Sequence, residues 1–188
     1  MIKYFSPIFL SIILLISCGP SEREQAQQEQ REQQLQMQMI ETTPEFNNQM
    51  ETLLSHYFEL KDAFIQSDAD AASSAAQQFL TNTEEVNSSG LTQESATVWS
   101  SFSQTLVENT SNLIPLDDVD EQRYYFEHIS EAMINLVETF EPLGYQVYHQ
   151  SCPMVRDGSA DWLSREEEIK NPYHGERMMN CGETIRQL

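Results

Sequence analysis

From Pro44 to Gly144 the chain carries apolar side chains at three- and four-residue spacing, interrupted only by short turn-like sequences. That is the period of a helix with one buried face, and successive stripes of this kind can be buried only against one another. The first stripe is Phe46, Met50, Leu53, Tyr57, Leu60 and Phe64. Ser67-Asp68 supplies a cap for a second helix, whose inner face is Ala69, Ala72, Ala76, Phe79 and Val86. Alanines let that helix lie close to the first. Asn87-Ser88-Ser89-Gly90 reads as a turn. Thr92 caps a third helix carrying Val98 or Trp99, Phe102, Leu106 and Leu113, which Pro115 ends. Asp118 and Glu121 have the spacing of a capping box. The fourth stripe, Val119, Phe126, Ile129, Met133, Leu136 and Phe140, runs until Pro142 and Gly144. Short links between four such helices predict an all-α fold, an up-and-down four-helix bundle over residues 44–144.

Residues 145–188 break this pattern. Tyr145, Val147 and His149 alternate with Gln146 and Gln150, which predicts an extended segment. Asp157-Gly158 is a hairpin turn signal, and Ala160 to Leu163 can pair back. Ser164 and Glu167 again have capping-box spacing, predicting a short helix that Asn171-Pro172 stops. The expectation is a small hairpin-and-turn module packed on one end of the bundle.

Upstream of the bundle, Lys3 and the apolar run Ile8 to Ile16 have the layout of an export signal, too short to span a bilayer. The run ends at Leu15-Ile16-Ser17-Cys18, which resembles the bacterial lipobox. The resemblance implies that residues 1–17 are removed and that Cys18 is diacylated, anchoring the chain to a membrane. Residues 18–43 then form a tether, rich in Gln and Glu between Gln25 and Gln38. The expected product is a lipoprotein of the cell envelope, facing the periplasm or the exterior, in an oxidising compartment.

Charge narrows the partners. The chain has 30 acidic and 10 basic residues, a net charge of −20 at pH 7, which repels nucleic acid and anionic lipid and favours cations. The imbalance is local. Residues 44–144 hold only Lys61 and Arg123 against 18 acidic residues, whereas residues 145–188 hold five basic and seven acidic ones.

The chemistry collects in the last segment, which contains Cys152-Pro153-Met154, Trp162, Asn171-Pro172-Tyr173-His174-Gly175 and Met178-Met179-Asn180-Cys181-Gly182. On an extended segment Cys152 and Met154 share a face, and on a helical turn Met178 and Cys181 do. Thiolates and thioethers are soft ligands, so Cys152, Met154, Met178 and Cys181 together suit Cu(I). His149 and His174 join the set if the ion is Cu(II) or Zn(II). Two alternatives stand beside this one. The two cysteines form a disulfide, closing a loop of about 30 residues for roughly 3–4 kcal/mol, in a structural or interaction module without a metal. Otherwise they are inert core thiols. Trp162 and Tyr173 pack the site. An enzyme is not expected, because Cys152 and His149, three apart on a strand, point to opposite faces.

The run Cys152-Pro153-Met154, Gly158, Trp162-Leu163-Ser164, Ile169, Asn171-Pro172-Tyr173, Gly175, Met178, Cys181-Gly182 resembles a bacterial family of unknown function. Its helical domain occurs in exported lipoproteins and attached to the periplasmic adaptor (membrane-fusion) subunits of copper and silver efflux pumps. Within the bundle, Tyr57, Leu60, Lys61, Gln122-Arg123 and Phe126 fit the same pattern. The chain departs from it at Val155, where the family tends to have a small residue, and lacks a histidine between Asn109 and Asp118. The resemblance implies handling of a soft metal outside the cytoplasm, with a heavy-metal efflux adaptor as partner.

Overall fold

The computed structural model describes residues 41–188 apart from Leu143 and Asp157. The export signal, Cys18 and most of the tether lie outside the described residues. Four helices follow in order: α1 (Pro44–Ile65), α2 (Ala69–Glu85), α3 (Gln93–Leu113) and α4 (Val119–Phe140).

Each helix starts where a side chain can accept an otherwise orphaned backbone N–H. Thr43 accepts from Phe46, Asp68 from Ala71, Thr92 from Ser95, and Asp118 from both Asp120 and Glu121. α3 ends just ahead of Pro115, and α4 ends at Glu141, whose φ of 43° is left-handed. Aromatic contacts fix the topology. Phe46, at the start of α1, meets Phe140, at the end of α4, with ring centroids 5.0 Å apart. At the other end Phe64 of α1 meets Phe126 of α4 at 4.8 Å. Phe46 also meets Trp99 near the start of α3 at 5.6 Å. The helices therefore run up and down, with α1 antiparallel to α4 and parallel to α3.

The fold is mostly helical rather than all-α. Residues beyond the bundle form a three-stranded antiparallel sheet, β1 (Tyr148–Val155), β2 (Gly158–Ser164) and β3 (Glu183–Gln187), in the order β2-β1-β3. The hairpin expected around Asp157-Gly158 is β1–β2, with Cys152 opposite Ala160 and His149 opposite Leu163. β3 gives no sequence signal, because Glu183-Thr184-Ile185-Arg186-Gln187 is exposed throughout and has no buried face to alternate. The short helix expected from Ser164 does not form. Ser164 Oγ accepts from the N–H of Glu166, two residues on, which closes a local turn. The carbonyls of Glu166 and Glu167 accept from Gln150 Nε2 instead of continuing a helix.

The sheet does not cap one end of the bundle as expected; it lies along α4 and α1. α4 buries more than one stripe: Ser130, Ile134 and Val137 are buried beside Phe126, Ile129, Met133 and Leu136. Its second face receives the sheet. Three arginines of the C-terminal segment reach acids on α4: Arg156 pairs with Glu127, Arg177 with Asp120, and Arg186 with Glu138. Arg165 lies over the ring of Phe58, 4.6 Å from its centroid, and donates to Ser55 Oγ on α1.

The outer edge of β2 is closed by two tyrosines. Buried Tyr57 of α1 accepts from the N–H of Leu163 (3.1 Å) and shares a hydrogen bond with Ser130 Oγ (2.8 Å). Tyr173 Oη donates to the carbonyl of Asp161 (2.6 Å). Burial raises the pKa of both phenols, so they stay neutral and able to donate. Tyr57→Phe removes the acceptor of a buried N–H and should cost about 1–3 kcal/mol. Denaturant unfolding should show a lower midpoint with an unchanged slope.

Candidate functional site

The segment after β2 has little regular structure beyond the 3₁₀ turn Gly175–Arg177, so its path is set by specific hydrogen bonds. Asn171 does most of this. Its Oδ1 accepts from the N–H groups of Tyr173 (2.8 Å) and His174 (3.2 Å), folding the Asn-Pro-Tyr-His turn. Its Nδ2 donates to the carbonyl of Cys181 (2.8 Å), and its N–H donates to that of Met179 (2.8 Å). A buried Arg123 holds the next residue, donating from Nε to the carbonyl of Pro172 (2.7 Å).

Gly182 then lets the chain pass under β1. Its φ is +146°, and a Cβ there would lie 2.7 Å from the carbonyl oxygen of Ser151 and 2.9 Å from Trp162. Only glycine permits that approach without displacement. The result is one close contact: Cys152 Sγ and Cys181 Sγ lie 2.8 Å apart, with Cys152 fully buried and Cys181 half-buried. Both are free thiols in this structure. The Cys181 pKa is raised, first because its S–H is shared with the Cys152 sulfur and then by burial.

The other sulfur candidates take no part in that contact, although the Met178 carbonyl accepts from the N–H of Cys181 (3.0 Å). The ladder slips by one residue between Cys152 and Val155, a bulge at Pro153-Met154, where proline has no N–H to give. Met154 is consequently 60% exposed while Cys152 is buried, so the shared face expected for them does not exist. Met178 lies in a cleft of about 400 Å³ with Val155, Tyr173 and His174, rimmed by Arg156 and Arg177. Neither cysteine lines that cleft, and its guanidinium groups disfavour a cation there. His174 Nε2 is hydrogen-bonded to the carbonyl of Met154 (3.0 Å). His149 faces Asp161 (2.8 Å) and Glu138 (3.7 Å), on the side of β1 that meets α4. Trp162 and Tyr173 are buried and meet edge to face at 6.0 Å.

Among the described residues no three His, Cys, Asp or Glu side chains are grouped so as to hold a metal ion. Of the sulfur candidates, Cys152 and Cys181 are the pair in direct contact. That pair does not fit a tetrahedral nitrogen- or oxygen-rich centre, and it fits a soft ion content with two ligands. An ion bridging two sulfurs at about 2.3 Å each needs them farther apart than they stand. Cys181, half-buried on its turn, is the one placed to yield. The sequence reading took Asn171-Pro172 as a helix stop and missed Asn171, Gly182 and Arg123 as positioning residues, although an Asn-Pro turn followed by a Cys-Gly pair was there to suggest the first two.

Residues 53–144 match the model of a family described as "Protein of unknown function (DUF3347)", a match that begins within α1, covers the rest of the bundle and stops before the sheet, Cys152 and Cys181. No curated protein and no solved structure matches the chain. No helix among the described residues is long and apolar enough to cross a membrane.

Gly182→Ala should cost on the order of 1–3 kcal/mol for its backbone conformation and displace Cys181. Labelling of Cys152 by a thiol reagent under native conditions, negligible in the parent, should become measurable.

Proposed function

We propose that the chain is a non-enzymatic, lipid-anchored protein of the cell envelope that takes up a soft cation, Cu(I) foremost, between Cys152 and Cys181. It would buffer the ion or pass it to a heavy-metal efflux adaptor. The observation that carries this reading is the convergence of two thiols, one buried and one half-buried, from segments 29 positions apart. Three further features support it. The lipobox-like run at Cys18 is of the kind that directs a chain to an envelope membrane. The excess of carboxylates over the bundle raises the local concentration of cations. The C-terminal run resembles domains that occur beside copper and silver efflux adaptors.

The reading assigns the sulfur residues unequal parts. Cys152 and Cys181 hold the ion as thiolates. Met154 is exposed and Met178 lines the neighbouring cleft, and neither is assigned a direct bond. Because the ligating thiol must lose its proton, and the Cys181 proton is held more tightly than usual, uptake releases protons and strengthens as pH rises.

Cu(I) competition titration of the reduced full chain is the test, with circular dichroism to confirm folding of each variant. The parent should bind a single ion, more tightly at pH 8 than at pH 6. Cys152→Ser and Cys181→Ser should each abolish tight uptake, and Met154→Leu and Met178→Leu should leave it unchanged. Equal uptake by the parent and both folded serine variants would reject the site.

A further inference from the structure

We infer that the same thiol pair reacts in a fixed order with disulfide-bearing oxidants, Cys181 as the attacking thiol and Cys152 as the resolving one. The order follows from burial. Cys152 has no exposed surface, lying in the β1–β2 ladder opposite Ala160, so an oxidant cannot reach its sulfur. Cys181 is half-buried, on an irregular turn held by the Asn171 side chain and the N–H bond from Cys181 to the Met178 carbonyl.

In the first step the Cys181 sulfur attacks one sulfur of an oxidant R–S–S–R. A Cys181–S–S–R bond forms, and RS⁻ leaves and takes up the proton from Cys181. In the second, Cys152, already in contact at 2.8 Å, attacks the Cys181 sulfur and expels the second RS⁻, which takes the Cys152 proton. The protein dithiol loses two electrons and two protons, and the oxidant gains them as two RSH. Contact between the sulfurs makes the second step intramolecular and fast, so the mixed disulfide does not accumulate.

Closure itself rests on the geometry. Its consequence rests on the function proposed above: once the sulfurs are bonded to each other, neither is a thiolate, and the cation site is gone.

The experiment treats the reduced full chain with oxidised glutathione and follows intact mass after acid quenching. The parent should lose two hydrogens without a glutathione adduct. Cys152→Ser should stop at one adduct, mapped to Cys181, and Cys181→Ser should react at least tenfold more slowly. Stable adducts on the parent, or undiminished reaction of Cys181→Ser, would overturn the order. Should a serine variant fail to fold, peptide mapping of the parent quenched early makes the same distinction, an adduct on Cys152 rather than Cys181 counting against the order. Cu(I) titration of the closed form reads the consequence separately. Loss of the disulfide reaction with Cu(I) uptake intact defeats the inference alone, and closure without uptake by the reduced chain defeats the proposed function alone.

Discussion

The guanidinium of Arg123 is the joint on which the C-terminal segment is built. It is buried on α4 and donates in four directions: to the carbonyl of Phe64 (2.7 Å) and the hydroxyl of Ser67 (2.8 Å) where α1 ends, to Asp120 (2.7 Å) on its own helix, and to the carbonyl of Pro172 (2.7 Å). Burial pushes its pKa down and Asp120 opposes the shift. A buried charge is tolerable only when its donors are met, and removing one partner of such a group is costly. The segment carrying Tyr173 and Asn171 must therefore return to this point on the bundle. Gly175 shows how tightly it does so: its φ is +55°, and a Cβ there would overlap the Ser67 hydroxyl and lie 3.0 Å from the Arg123 guanidinium.

The uneven charge of the chain has a structural explanation in the same region. An excess of carboxylates on helices and a nearly balanced C-terminal segment read, from composition, as two surfaces. In the folded chain they are complementary. Arg156, Arg177 and Arg186 meet Glu127, Asp120 and Glu138, and the Asp120 carboxyl is held below the usual range chiefly by Arg177. Exposed pairs of this kind contribute little stability singly. Three of them spaced along one helix specify which face of α4 the sheet takes. Most acids of the bundle remain without such partners, so the negative field survives docking.

The helices were legible because periodicity and capping act locally. Every residue of the α1 stripe, from Phe46 to Phe64, is buried, and each expected cap accepts a hydrogen bond. What escaped was everything decided at long range. The second buried face of α4 shows only when Ile134 and Val137 are seen to lie off the main stripe. β3 has no apolar residue facing inward, so nothing but its backbone announces it. Ser164 and Glu167 kept capping-box spacing, yet Gln150, fourteen residues before Ser164, took the carbonyls that a helix would have used. Cys152 and Cys181 stand out as a pair in the sequence itself. That Met154 would leave them depended on a bulge that Pro153 made available and no spacing rule could detect.

The unequal support of the two sulfurs gives the site its character. Cys152 is buried in the central strand and paired with Ala160 of β2, so its position is set by the hairpin. Cys181 is delivered by a turn whose geometry depends on one asparagine side chain and one glycine. A pair in which both thiols were locked at 2.8 Å could not open to admit an ion, and a pair in which both were loose would not meet at all. On the proposed function, the outer sulfur, nearer solvent, is the one that moves, away from Cys152 to hold a soft cation or toward it to bond. On that proposal, the hydrogen bond from Asn171 Nδ2 to the Cys181 carbonyl is the restraint that any such movement must work against.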